Sequence, residues 1–310
     1  MRKVNYIYLI LFTTLLFVGC SFDDVPEGDN SRIVELSYLI SSFNIDGIST
    51  RATDVGSPAE QQIDNLYLLL FDMGGANPIK YFIDNTFAAV SGTWTKADGK
   101  INLKLTQSEA GNRQVYVVAN VSAALKNTLD GVTSIVGLQA VKLTANTPWS
   151  PTLTTPILMS GNKTHNFVTN HILDNVPLTR AFAKVELNVT LPAKHQDADV
   201  SHYKYNFIDF DKKTYVLKPT VKTDDLVTTG WQPWQASSAV SSYTLAGGKV
   251  ATLKVVTYIN ERDVAGSYID IQLPYKAGPL PPPEFGNDTF KLPLPSEIKR
   301  NHWYKFDITL

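Results

Sequence analysis

The sequence predicts a mostly β protein built from two consecutive antiparallel β-sandwich domains with little helix. Many short segments alternate apolar and polar residues, which is the period of a strand with one buried face. Turn-forming residues separate these segments, as Gly247 and Gly248 do between two of them. With 310 residues, the chain has the length of two domains of ordinary size.

The composition excludes several classes of protein. Hydrophobic residues make up 44% of the chain and charged residues 18%, with a net charge of −1. This is enough apolar material for folded cores, and it lacks the basic excess that a nucleic-acid partner requires. The chain has one cysteine, so it has no internal disulfide and no cysteine-rich metal site.

The N-terminus has the pattern of an export signal. Arg2 and Lys3 precede an uncharged apolar run over residues 6–18, which is too short to span a bilayer as a helix. Small Gly19 then precedes Cys20, which favours a lipoprotein signal peptide over residues 1–19 and lipid attachment at Cys20. An ordinary secretory signal with an incidental cysteine is the alternative. The acidic residues 21–31 are typical of a flexible tether.

The first strand is predicted at residues 33–40, followed by a polar linker at 46–62. Alternation places four side chains on one face, and Leu39 departs from it. The four are Val34, Leu36, Tyr38 and Ile40. Within the linker, Arg51 and Ala52 lie in an exposed-looking Ser/Thr-rich stretch, the kind of position where proteolysis concentrates.

The remaining elements follow the same alternation. Strands are predicted at residues 66–71, 101–105, 115–121, 181–191, 203–207, 215–217, 250–258, 268–273 and 303–310. One helix is predicted at 130–143, where apolar residues recur at helical spacing. A boundary near 170–178 divides the chain into an N-terminal domain, 52–175, and a C-terminal domain, 176–310. In the last strand, the residues predicted to share a face are Tyr304, Phe306, Ile308 and Leu310.

The sequence carries no motif of a known catalytic or cofactor site, so we expect neither enzymatic activity nor a cofactor. The best metal candidate runs from His195 through Asp197 and Asp199 to His202, and its position between strands favours a solvated loop. Asp211 is expected to face solvent on a strand. The sequence does not exclude a catalytic acid–base pair whose two residues are brought together only by the fold.

Trp231 and Trp234 could form an aromatic platform for a sugar. The favoured interpretation is that both indoles are packed in a core or between domains. The platform is the basis of an alternative function, an outer-surface lipoprotein that binds glycans without polymerising.

Several stretches together resemble the FimA-type fimbrillin family, the subunits of type V pili. In chain order they are the signal ending at Cys20; Arg51-Ala52 before Ile63-Asp64-Asn65-Leu66-Tyr67; Val115-Tyr116-Val117-Val118-Ala119-Asn120; Met159-Ser160-Gly161; Leu178-Thr179-Arg180-Ala181-Phe182-Ala183-Lys184-Val185; Tyr258-Ile259-Asn260-Glu261; and Ile298-Lys299-Arg300-Asn301-His302-Trp303-Tyr304. Together these stretches extend the resemblance over most of the chain after the signal peptide.

The resemblance implies a lipidated precursor of two sandwich domains of transthyretin-like or Greek-key type, carried to the outer membrane. An arginine-specific protease would cut between Arg51 and Ala52, removing residues 20–51 with the anchor and the first strand. A strand from another pilin subunit would then fill the vacated groove. The expected location is the cell-surface fimbrium, with adhesion to a host or glycan ligand as the outcome.

The C-terminus differs from that of shaft subunits, which usually continue into donor strands after the Arg-Asn-x-x-Tyr stretch. This chain ends six residues after Tyr304. The expectation is therefore a minor, tip or accessory subunit that accepts a strand. The alternative is that residues 303–310 themselves serve as the donor.

Overall fold

The computed structural model describes residues 31–46, 51–87, 91–144, 156–220, 222–238, 240–277 and 284–310. These residues are mostly β, as predicted. The signal peptide 1–19, Cys20 and residues 21–30 of the tether lie outside them. None of the helices described is long and apolar enough to cross a membrane.

The first eleven strands precede Ala181. They are β1 (Ile33–Ile40), β2 (Phe43–Asp46), β3 (Arg51–Asp54), β4 (Leu66–Phe71), β5 (Ile79–Ile83), β6 (Gly92–Thr95), β7 (Lys100–Thr106), β8 (Asn112–Ala119), β9 (Lys142–Thr144), β10 (Met159–Asn166) and β11 (Ile172–Arg180). The later strands are β12 (Phe182–Thr190), β13 (Lys204–Ile208), β14 (Phe210–Asp211), β15 (Lys213–Tyr215), β16 (Leu226–Val227), β17 (Gln232–Pro233), β18 (Ser241–Ala246), β19 (Lys249–Asn260), β20 (Tyr268–Ala277), β21 (Glu284–Pro293) and β22 (His302–Thr309).

The α-helices are short: α1 (Gln107–Ala110), α2 (Ala123–Asp130) and α3 (Ile135–Gln139). The helix predicted at 130–143 is therefore wrong in extent. The Ser134 hydroxyl accepts a hydrogen bond from the Gly137 N–H and starts α3 as a separate helix. Only Leu138 of the apolar series is buried within α3, whereas Val132 and Val141 are buried in the turns on either side.

Three hydrophobic clusters organise the sheets of the residues described. The first lies against an eight-stranded sheet of order β5-β4-β8-β10-β11-β1-β7-β6. The second lies between a six-stranded sheet, β18-β19-β12-β22-β2-β3, and a four-stranded sheet, β17-β13-β20-β21. These inward faces are the alternating positions that the sequence predicted, because period-two alternation is a local property of each strand. The third cluster covers the other face of β4 and β8, where Tyr67, Phe71 and Tyr116 pack with Leu125 and Leu129 of α2.

The sheets are mixed and not purely antiparallel. β1 runs parallel to β11, and β22 runs parallel to both β12 and β2. Alternation predicts a strand and its buried face, but it says nothing about the direction of a partner far along the chain. The prediction of antiparallel sheets is wrong at these three pairings.

The strand pairing also crosses both proposed domain boundaries. β2, which precedes the 51/52 position, and β3, which begins at Arg51 and contains it, both join the sheet of the C-terminal strands. β9 pairs with β15, across the boundary near 175. The domain division at 52–175 and 176–310 therefore stays a prediction. The first two clusters support it, whereas the third also includes Ala181 and Val216 from beyond the boundary.

Candidate functional site: the positions of the first two strands

β1 lies inside the eight-stranded sheet with a hydrogen-bonded neighbour on each side. It pairs with β11 from Glu35 to Ile40 and with β7 from Ile33 to Ser37. The Ser41 N–H continues the ladder to the Leu178 carbonyl at 2.9 Å. Without β1, the sheet order would break into a five-stranded part and the β7–β6 pair. We call the space between β11 and β7 the first-strand slot.

The side chains of β1 follow the predicted alternation. Val34 and Leu36 are 0% and 1% exposed within the first cluster, and Tyr38 and Ile40 pack against its margin. The Trp94 indole N–H donates to the Tyr38 hydroxyl at 3.2 Å. Leu39, the departure from the pattern, is exposed on the opposite face. The slot therefore receives one apolar face of a strand.

β2 occupies a different place, beside β22 in the six-stranded sheet. It runs parallel to β22 over three residues and forms a hairpin with β3, which begins at Arg51. The predicted linker at 46–62 is thus wrong in part: this stretch contains a strand and a 3-10 helix at Ala59–Gln61. Because β3 is short and exposed at Ala52 and Thr53, the predicted processing position lies at the edge of a sheet.

A cleft of about 630 Å³ lies beside this hairpin. Its lining combines residues of β2, β3 and β22, namely Asn44, Ile45, Asp46, Ala52, Thr53, Lys299 and His302. The Asp46 carboxylate contacts the His302 ring nitrogen Nδ1 at 2.6 Å across it. Proteases bind their substrates as extended strands, and an exposed edge strand beside an open cleft has that form.

Arg180 connects the two strand positions. Its guanidinium is fully buried and donates to the carbonyls of Ser41 at 2.7 Å, Val55 at 2.8 Å and Glu60 at 3.0 Å. It also donates to Oδ1 of Asn301 at 3.0 Å. Burial lowers the pKa of Arg180, and the carboxylate of Glu60 partly opposes that shift. One arginine therefore holds the chain on both sides of the 51/52 position.

Glu60 provides the negative charge of this cluster and is 1% exposed. It pairs with the Lys184 ammonium at 2.9 Å and accepts hydrogen bonds from the Ser57 N–H and the Tyr258 hydroxyl. Burial alone raises the pKa of the Glu60 carboxyl, but these three donors outweigh it and hold the pKa below its ordinary value of 4.5. We call Glu60, Arg180, Lys184, Tyr258 and Asn301 the junction cluster.

The last strand belongs to the chain's own six-stranded sheet. β22 pairs with β12 from Trp303 to Thr309, whereas β2 covers its other side only at His302 to Tyr304. The predicted face is confirmed: Tyr304 is 2% exposed, and the other three side chains pack against the second cluster. Those three are Phe306, Ile308 and Leu310.

The two tryptophans do not form one platform. Trp234 is 2% exposed, packs against Tyr205 and donates its indole N–H to the Lys254 carbonyl. Trp231 is 41% exposed. The interpretation of both indoles as packed is therefore right for Trp234 and wrong for Trp231, and a buried Trp234 has no free face for a sugar.

The predicted solvated loop near His195 is wrong for His195 and Asp197, whereas the side chains of His202 and Asp199 are 40% and 59% exposed. His195 is fully buried, with Nδ1 donating to the Pro274 carbonyl at 2.9 Å, and Asp197 is buried beside it. Among the residues described, no group of three His, Cys, Asp or Glu side chains could hold a metal ion. Asp211 is buried too, as the partner of Lys222 at 2.8 Å.

Sequence reasoning did not identify the junction cluster. Four of its members nevertheless lie in the stretches that carry the family resemblance, as Arg180 and Lys184 do around Phe182, Tyr258 before Ile259, and Asn301 before His302. Local pattern gave no signal for Arg180, because it ends a strand that also contains Asp174, Asn175 and Thr179, and the partners of a buried charge are supplied by the fold.

Two family models match the chain. The model of the major fimbrial subunit protein (FimA) matches residues 42–206, which is more than half of the chain. The model of the C-terminal part of minor fimbrium tip subunit MfA4 matches residues 181–309. The two matches together include the junction cluster and β22.

Individual relatives agree with the family models. The chain is 46% identical over 334 aligned residues to the minor fimbrium tip subunit MfA4 of Porphyromonas gingivalis, covering 99% of this chain and 100% of that protein. Among solved structures, the tip fimbrial protein Mfa3 of Porphyromonas gingivalis superposes with a TM-score of 0.53 at 13% identity, over 89% and 94% of the two chains. A protein of Bacteroides eggerthii gives a TM-score of 0.57 at 18% identity, over 91% and 88%. These two structures show a shared fold.

Proposed function

This chain belongs to the family of fimbrial subunits that the FimA and MfA4 models describe, and from that premise we propose that it is a minor or tip-type structural subunit of a cell-surface fimbrium. The matching families are structural subunits and not enzymes. The 46% identity to a minor fimbrium tip subunit supports the tip or accessory role. Adhesion is the function that such a position serves.

The proposal includes export as a lipoprotein anchored at Cys20. Its support is the sequence of the N-terminus, in which a basic start and an apolar run end at Gly19-Cys20. The anchor attaches the precursor to the outer membrane until the chain is cut after Arg51 by an arginine-specific protease. The exposed edge strand β3 and the cleft beside it support access to that bond.

Cleavage there removes more than the first strand. The released segment contains both β1 and β2, since both precede Arg51. Its departure leaves β11 and β7 with unpaired edges around the slot and uncovers the β2 side of β22. Unpaired edges next to an apolar core are costly, so a strand from another pilin subunit takes their place.

The position of β1 is the observation that carries this proposal. An edge strand could leave with little consequence for the sheet, whereas β1 is paired on both sides and buries Val34 and Leu36. β22 supports the role of acceptor, because donating it would break seven pairings with β12. The two-sandwich division at 52–175 and 176–310 is part of the same proposal.

N-terminal sequencing of the surface form tests the processing step. The wild-type surface protein should begin at Ala52 and enter SDS-resistant complexes with partner subunits. Arg51→Ala should keep the precursor N-terminus and fail to enter those complexes. Arg32→Ala, at an exposed arginine in the same segment, is the matched control and should behave as wild type. Normal assembly of the Arg51→Ala protein would contradict the proposal.

A further inference from the structure

Phe43, the first residue of β2, fills a small chamber beside the junction cluster. Its side chain is fully buried. The Arg180 guanidinium carbon lies 4.1 Å from the ring centroid, and the Lys184 ammonium lies 6.0 Å away. The Trp303 ring meets it edge-on at 6.2 Å. A Cβ on Gly56 would approach a Phe43 ring carbon to 3.0 Å, so the chamber is narrow on that side.

The main chain around Phe43 is bound as closely as its ring. Arg180 donates to the Ser41 carbonyl at 2.7 Å, and the side-chain amide of Asn301 donates to the Ser42 carbonyl at 2.6 Å. The Asn44 N–H donates to the Asn301 carbonyl at 3.0 Å. Four consecutive residues of the segment are therefore bound by the rest of the chain: Arg180 and Asn301 bind the carbonyls of residues 41 and 42, Arg180 covers the ring of residue 43, and Asn301 accepts from the N–H of residue 44.

Release of the segment would remove the contacts that Arg180 and Asn301 make with it. Arg180 would lose one carbonyl and the ring face that covers its guanidinium, and Asn301 would lose two hydrogen bonds. Arg180 would keep the Val55 and Glu60 carbonyls and Oδ1 of Asn301, but a buried cation that loses one acceptor and the ring over its face is destabilised. The flat face of an aromatic ring attracts a guanidinium, whereas an aliphatic side chain of the same size does not. Glu60 is the one carboxylate of the junction cluster and pairs with Lys184, so the Arg180 charge is met by neutral oxygens and by the Phe43 ring.

We propose that this chamber is a specificity pocket for the strand that replaces the released segment. The incoming strand carries an aromatic side chain at the position that Phe43 occupies, preceded by two carbonyls that bind Arg180 and Asn301. This inference rests on the strand replacement proposed above. The slot accepts an apolar face, and the pocket sets the register at which that face enters.

Peptide exchange tests the pocket. The full-length chain is cut after Arg51 with an arginine-specific protease, and a fluorescent peptide of residues 31–46 is exchanged into it and followed by anisotropy. Unlabelled peptides then compete. Phe43→Leu and Phe43→Glu peptides should compete about tenfold more weakly than wild type, as expected for losing a desolvated cation–π contact. The Leu39→Ala peptide, changed at an exposed position, should compete as wild type.

The outcomes separate the two proposals. Leucine or glutamate peptides that compete within about twofold of wild type would overturn the aromatic requirement while leaving strand replacement intact. A wild-type peptide that never exchanges into the cut chain would overturn strand replacement, and this inference with it.

The uncut chain gives an independent measurement. Phe43→Leu should lower the midpoint of thermal unfolding by about 3 °C more than Phe71→Leu. Phe71 is the matched control because it is equally buried and meets Tyr116 edge-on at 5.6 Å, with no cation over its ring in the contacts described. An equal or larger decrease of the unfolding midpoint for Phe71→Leu would contradict the proposal that the pocket requires an aromatic ring.

Discussion

β1 and β2 belong to the same proposed removable segment, but they occupy different kinds of position. β1 lies between two strands and contributes its apolar face to the first cluster. β2 contacts β22 over three residues, and its other neighbour, β3, begins at the proposed processing position. Under the proposed strand replacement, we expect the slot to bind a strand through its two ladders and apolar face, and the β2 position with the junction cluster to set the register.

Of the changes that test this difference between β1 and β2, deleting residues 303–310 should destabilise the protein most. β22 pairs with β12 along its length and buries Tyr304, so its loss should unfold the sheet that holds β2. Circular dichroism and limited proteolysis would show a chain without a stable C-terminal half. Deleting residues 33–40 is the comparison variant and should leave that half protected. A folded, monomeric chain lacking 303–310 would indicate that this strand is a donor.

Arg180→Ala should be next in magnitude. It leaves three carbonyls and the Asn301 amide without their buried donor, which should lower the free energy of unfolding by about 3–5 kcal/mol. Urea unfolding would measure the change. The exposed Arg32→Ala is the control, with an expected effect within about 0.5 kcal/mol. Similar losses for the two variants would mean that the junction cluster does not hold the segment.

Leu36→Ala tests the slot itself. Removing a fully buried leucine from the first cluster should cost about 2–4 kcal/mol, because the neighbouring strands cannot close the cavity completely. Leu39→Ala, three residues away and 56% exposed, should change stability by about 0.5 kcal/mol or less. Equal effects at the two positions would contradict the assignment of the buried face.

Acid should weaken the junction cluster through Glu60. Because the folded-state pKa of Glu60 lies below its ordinary value of 4.5, its carboxylate stabilises the fold above that pH. This contribution is lost as the pH falls through the folded-state pKa. Urea midpoints measured from pH 6 downward should therefore fall less steeply for Glu60→Gln than for wild type. Parallel profiles would exclude Glu60 as a source of acid sensitivity.

Asp46→Asn tests how firmly β2 is held, and it should lower the free energy of unfolding least. The Asp46 side chain is 42% exposed in its pair with His302, and partly exposed pairs contribute about 0–1 kcal/mol. Urea unfolding should detect a loss no larger than this. A loss comparable to that of Leu36→Ala would mean that β2 is held as firmly as β1.

Much of the fold was predictable from local pattern. The face of β1, the face of β22 and the Gly247-Gly248 turn are each encoded in a few neighbouring residues. The hairpin of β2 and β3 was not predicted, since each strand is only four residues long and the alternation of Phe43 and Ile45 in β2 is too short to stand out. His195 and Asp197 were placed in solvent because a polar stretch between strands does not show which groups the fold will cover.

The sequence by itself determined that the chain is β-rich, which face of β1 and of β22 is apolar, and that the chain has no internal disulfide. Alternation and cysteine count are properties of the chain before it folds. Only the tertiary structure decided that β1 lies inside a sheet, that β2 joins the other sheet, and that Arg180 binds the chain on both sides of the proposed processing position. Those facts depend on partners such as Arg180 and Glu60, which are 120 residues apart and meet only when the strands have taken their order.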